Sequence, residues 1–133
     1  MARQSRESHA LFLLIVGLCA WVVPGGGYFL LKENKRATIV LITVVLAFLV
    51  GIYVGSIGII DPVGAKLWYV AQIMASPAVA ALGYLAASGG YPVYGKPNEI
   101  GQIYTSVAGL LNLLCIVNSV YLAHLHRTDS SGD

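Results

Sequence analysis

Side chains able to do acid–base, nucleophilic or metal chemistry are few here, and they stand at the edges of apolar stretches. The acids are Glu7, Glu33, Asp61, Glu99, Asp129 and Asp133. No two are paired inside an apolar segment for proton transfer, and no Ser/His/Asp or Cys/His grouping suggests a nucleophile. His124 and His126 flank Leu125 beside Arg127. Their i, i+2 spacing keeps them off a common helical face, which suits a polar cap better than a ligand pair. His9 would share a side with His124 if the chain crossed a membrane four times, which would permit a bis-histidine haem, but no other feature asks for one. Cys19 and Cys115 both fall inside apolar runs and read as small buried hydrophobes. These patterns predict no catalytic residue, metal or cofactor, and no enzyme.

One polar side chain stands apart. Asn112 lies near the middle of an apolar segment, where an unpaired amide is costly. Its candidate partners are Thr43, Ser76 and a backbone carbonyl freed by Pro77. It is either interhelical glue or, with Thr105, Asn118 and Ser119, part of a polar path.

The elements that must position it follow from composition. The chain of 133 residues is 57% hydrophobic and 11% charged, with mean hydropathy +0.75. Soluble domains carry about 25% charged residues, so the composition is that of a membrane protein. A net charge of +2 is too small to imply nucleic-acid binding. About twenty helical residues cross a hydrocarbon core, and four apolar segments come close: 10–31, 37–60, 67–87 and 100–125. They define an all-α polytopic helix bundle forming a single transmembrane domain over 1–133. A Gly-, Pro- and Tyr-rich loop spans 88–99, and 127–133 is a frayed polar tail. The N-terminus resembles a signal peptide in charge and core length, but a Pro-Gly break replaces a cleavage site; the segment is expected to be retained. There is no internal sequence repeat.

The break is Pro24-Gly25-Gly26-Gly27, followed by Tyr28, Phe29 and the basic pair Lys35-Arg36. Pro removes a donor and Gly is a poor helix former. Non-helical backbone at membrane depth needs protein or trapped water around it. The run is therefore an interfacial turn anchored by Tyr28 and Phe29, a break packed on neighbouring helices, or a ligand site on exposed amides. If the first segment crosses fully, the basic residues divide four against four between the two sides. If it turns back, they divide six against two. Four crossing or nearly crossing helices is the preferred expectation, the first broken at 24–27, with Pro77 kinking the third and Asp61-Pro62 stopping the second.

Small residues recur at helical spacing. The second segment offers Ala47, Gly51, Gly55 and Gly58, the third Ser76, Ala80, Gly83 and Ala87. The fourth offers Gly101, Thr105, Ala108, Asn112, Cys115 and Ser119. Close approach of small residues drives helix association in lipid. The rows predict either a tight bundle or faces that dock a partner helix.

The loop 24–32 with Lys35-Arg36 resembles the Pro-Gly-x-Gly-His-Phe-Tyr-Leu-Gly loop of a small bacterial integral-membrane family of unknown function, itself distantly like two-transmembrane-helix domain proteins. Residues 99–112, from Glu99 through Tyr104 to Asn112, are similar to a segment near the end of that family. Tyr28 stands where His is usual and Lys32 where Gly is usual. The resemblance implies a multi-pass protein of the bacterial inner (cytoplasmic) membrane and no reaction. Glu99 and Tyr104 are candidate recognition residues. The leading expectation is a non-catalytic subunit or scaffold in the bilayer, binding membrane proteins or its own copies through small-residue faces and the 88–99 loop. The alternative is a small oligomeric channel or transporter with its polar path near Asn112.

Overall fold

The computed structural model describes residues 2–90 and 96–130. All their regular structure is helical: α1 Ala2–Val22, α2 Gly26–Leu30, α3 Asn34–Gly55, α4 Lys66–Ile73, α5 Ala78–Gly89 and α6 Lys96–Asp129. A 3₁₀ turn at Ile57–Ile59 follows α3. Gly58 therefore sits in a turn rather than on the helix, and the second segment stops at Gly55, short of Asp61-Pro62. Ser56, with φ +66°, takes the chain out of the helix. Asp61 instead closes the next turn, its Oδ1 accepting from the amides of Val63 and Gly64 at 2.8 and 2.9 Å.

Two helices, Asn34–Gly55 and Pro97–Asp129 within α6, are long and apolar enough to cross a membrane. They pack antiparallel along much of their length. A methyl on Gly51 would meet Thr105 and the Gly101 carbonyl, and one on Gly55 would meet Gly101 and Pro97. Gly101, Thr105, Ala108, Asn112 and Ser119 all face inward, with Cys115 half-buried.

The first segment doubles back rather than running straight on. α1 runs antiparallel to α6, from His9 beside His124 to Ala20 beside Asn112. After Pro24 the chain reverses, and α2 climbs back along α1 and α6. A methyl on Gly27 would strike Ser119 and Ala20, and one on Gly26 the Cys19 carbonyl. Gly25 makes the corner at φ +82°, a backbone region that suits glycine, with the Ala37 carbonyl too close for a side chain. The first segment is thus a reversal rather than the broken but continuing helix expected, because Gly26 and Gly27 allow the backbone to double back against α1 and Gly25 allows it to turn against α3.

The third segment reverses too, rather than kinking. α4 runs parallel to α6, with Ser106 donating to the Trp68 carbonyl at 3.4 Å and Gln72 donating to Thr105 Oγ1 at 2.9 Å. Beyond Pro77, α5 returns, Gly83 lying against Tyr69 and Ile60 and Ala86, Ala87 and Gly90 beside Asp61 and Pro62. The reversal rotates the expected row out of register: Ser76 lies at the tip, Ala80 and Ala87 are exposed, and the buried face is Val79, Gly83 and Ala86.

The bundle is thus two long antiparallel helices with a broken hairpin inserted from each end. α1–α2 enters from the end holding the α6 C-terminus, α4–α5 from the end holding its N-terminus. The core beside the second hairpin is Val44, Ile59, Ile60, Ala75, Val79 and Ala108. Of the 88–99 loop, 88–89 belong to α5, 96–99 open α6, and 91–95 lie outside the described residues. The expected tail is helical through Asp129, and its residues 131–133 also lie outside them.

Candidate functional site

The hairpin tips meet at the middle of α6, and the meeting is built from carbonyls at the ends of the two broken helices, those that the prolines set free among them. A proline leaves the carbonyl four residues earlier without its helical donor. For Pro24 that carbonyl is Ala20, and for Pro77 it is Ile73. The Asn112 amide nitrogen donates to Ala20 O at 3.4 Å, to Met74 O at 2.9 Å and to Ala75 O at 3.0 Å. Trp21 Nε1 donates to Ile73 O at 3.0 Å. Ser76 Oγ donates to Val22 O at 3.1 Å and accepts from the Ala78 amide at 3.3 Å. Each break is capped by side chains of another segment, which is how broken helices survive away from water. The partners expected for Asn112 are not the ones it takes. The Ile73 carbonyl that Pro77 frees goes to Trp21, and Thr43 is exposed on the outer face of α3. Asn112 bonds the Ala20 carbonyl freed by Pro24 and, at the second tip, Met74 and Ala75.

Three carbonyl acceptors fix the Asn112 amide with its nitrogen toward the tips. Its Oδ1 is then buried and unpartnered, on a residue with no exposed surface. One layer away, Gln72, equally buried, donates to Ile59 O at 3.2 Å and to Thr105 Oγ1 at 2.9 Å, leaving its own Oε1 unpartnered. Thr105 passes its hydroxyl proton to Gly101 O or Gln102 O within α6. The helix C-termini of α1 and α4 therefore converge on one level, their partial negative ends facing each other, with two amide oxygens nearby that lack donors.

The remaining expected site residues fall elsewhere. Tyr28 is only 4% exposed and its hydroxyl accepts from Asn118 Nδ2 at 2.7 Å. It is a packing residue rather than an interfacial anchor, because the turn lies deep beside α6. Phe29 remains 42% exposed. Lys35 and Arg36 are exposed at the start of α3, Arg36 pairing with Glu33 at 3.7 Å. Glu99 and Tyr104 lie on the exposed side of α6, away from the hairpin tips. Gly51, Gly55, Gly83 and Gly101 all make their close contacts inside the chain, so these glycines are not open docking surfaces. Among the described residues no cluster of three or more His, Cys, Asp or Glu could hold a metal. Two residues of the junction carried weak sequence signals. Trp21 reads as an apolar residue until its indole N–H is counted, and Gln72 was legible only as the lone amide between 66 and 87.

Two long apolar helices and two broken hairpins meeting tip to tip define an all-helical bundle with helices fit to cross a membrane. The chain belongs to DUF6677, a family of unknown function whose model matches residues 15–129. No curated protein matches the chain, and no solved structure matches it.

Proposed function

We propose that this is a multi-pass integral membrane protein in which α3 and α6 cross the bilayer and the hairpins reach its middle from opposite faces. Its function on this reading is to pass a small cation through the junction at Asn112, as a channel or carrier. The observation that carries the reading is the convergence of two helix C-termini on the buried Asn112 amide, whose nitrogen faces their carbonyls and whose oxygen has no donor. Broken helices meeting at mid-bilayer are the usual makings of an ion site, with their C-terminal carbonyls favouring cations.

Surface chemistry supports the placement. The outward sides of α3 and α6 are Leu, Ile and Val. Tyr53, Trp68, Tyr84 and Tyr104 are exposed toward one end, and Phe29 and Tyr121 toward the other, as aromatic belts require. Tyr104 and Tyr121 are about 26 Å apart along α6 at 1.5 Å per residue, near the ~30 Å hydrocarbon core. With both hairpins returning, Arg3, Arg6, Lys32, Lys35, Arg36 and Arg127 share one end against Lys66 and Lys96 at the other. Six against two favours a cytoplasmic α1 end, and the resemblance noted above favours the inner membrane.

The subunit reading retains one support, the outer face of α3, of whose apolar window only 17% is buried in the chain. Partner proteins or further copies would have to dock on those aliphatic side chains rather than on the glycines. Flux separates the readings. Purified protein in liposomes is expected to dissipate a Na⁺, K⁺ or H⁺ gradient, and Asn112→Leu to abolish that flux with the native mass unchanged. No flux from wild type, together with stoichiometric companions in mild detergent, would replace the channel reading by the subunit reading.

A further inference from the structure

We propose that the cleft at the α1 end, between the first hairpin and the last turns of α6, binds the phosphate headgroup of an anionic phospholipid. The cleft holds about 480 Å³ and joins two kinds of wall. Phe12, Leu30 and Leu31 make an apolar side able to take the start of an acyl chain, and Lys32, His126 and Arg127 make a polar side rich in N–H donors. Basic pockets between membrane helices on the cytoplasmic side select anionic headgroups.

Two details suggest a built site rather than scattered surface charge. Arg127 is held in place, its Nη1 donating to Ser8 O at 3.2 Å and its guanidinium lying 5.3 Å from the Phe12 ring centre. This leaves most of its planar donor fork for a phosphate. Lys32 occupies a backbone position made for glycine. Its amide donates to Phe29 O at 3.1 Å and the next amide, of Glu33, to Tyr28 O at 2.9 Å, the paired bonds of a helix C-cap whose left-handed residue is normally Gly. Lys32 has φ +61°. A side chain kept there against the backbone preference, lining a basic cleft beside Arg127, points to a role for the ammonium group.

The inference rests on placing this end at a membrane surface, which pelleting through an alkaline carbonate wash tests independently of headgroup. The binding experiment uses the full chain in a zwitterionic detergent, titrated with dioleoyl-phosphatidylglycerol, dioleoyl-phosphatidylcholine or inorganic phosphate. Native mass spectrometry and melting temperature are read together. One retained phosphatidylglycerol, preferred at least about fivefold over phosphatidylcholine and raising the melting temperature, is expected. Lys32→Gly should abolish that preference while the lipid-free melting temperature stays level or rises, because glycine suits the site; Arg127→Gln should weaken it as well. A Lys32→Gly protein that keeps the preference overturns the proposal. An equal response to inorganic phosphate overturns it too, since a free-phosphate site would then suffice. A protein released by the wash removes the membrane placement itself.

Discussion

Replacing Asn112 by Ala tests whether the hairpin tips depend on one amide. The substitution removes two well-formed bonds, to Met74 and Ala75 at 2.9 and 3.0 Å, and a long one to Ala20 at 3.4 Å. Interhelical hydrogen bonds in membranes average about 0.6 kcal/mol, but a carbonyl left buried without a donor costs about 1–3 kcal/mol. The amides of Ala78 and Val79, which would serve those carbonyls in an unbroken helix, are bonded to Ser76 instead, so the carbonyls have nowhere else to turn. Against this, the variant also removes a buried Oδ1 that has no partner, which returns part of the loss. The net expectation is a destabilisation of about 2 kcal/mol. Unfolding in mixed micelles, followed by tryptophan fluorescence, measures it, and Trp21, bonded to Ile73 in the same junction, makes the signal local. Ser119→Ala is the control. That hydroxyl is equally buried on the same face of α6, but bonds only Ile116 O of its own helix at 2.9 Å, so its removal should change stability by less than about 0.5 kcal/mol. If Asn112→Ala were as mild as Ser119→Ala, the junction would not be held by the amide and the reasoning would fail.

Two further outcomes are expected. Gly109→Ala places a methyl against the Ala71 carbonyl, backbone on backbone, and should destabilise by about 3 kcal/mol or more in the same unfolding assay. In a background with Cys19 and Cys115 replaced, cysteines introduced at Lys32 and Ser130 should react with a membrane-impermeant maleimide from one side, and one at Gly64 from the other. Labelling of Lys32→Cys and Ser130→Cys from opposite sides would mean that the third segment, α4–α5, crosses after all.

Much of this arrangement could be read from the chain. Pro24 with its three glycines announced a break in an apolar segment, and Asn112 announced a need for a buried partner. The seam on the fourth segment gave the inner face of α6. Less legible was the fate of Pro77. Within a long apolar run a proline reads equally as a kink or as a corner, and the choice lies in donors elsewhere: Trp21 for the Ile73 carbonyl, Asn112 for Met74 and Ala75. Those donors are up to about ninety residues away along the chain from one another, and no local pattern links them. Tyr28 was misread for a related reason. An aromatic after a glycine turn suits an interface, until the turn is drawn inward and its hydroxyl finds Asn118.

The two halves of the chain share an order of elements without sharing a sequence. Residues 2–55 make a hairpin broken at Pro24 and then a long helix; residues 66–129 make a hairpin broken at Pro77 and then a long helix, and the halves start from opposite ends. The register between the long helices locates their counterparts. Gly51 meets Thr105 and Gly55 meets Gly101, so each step down α3 is a step up α6, and the residue level with Asn112 is Val44. Val44 is also buried, but it is apolar and belongs to the core cluster beside the second hairpin. A symmetric solution would cap each break with an amide from its own half. Here the amide of the second half serves Ala20 in the first and Met74 and Ala75 in the second, while the first half contributes Trp21. Each hairpin tip therefore depends on the other half for a donor. That dependence ties the tips together where the helix ends converge, and Asn112 is the side chain of α6 that bonds both of them.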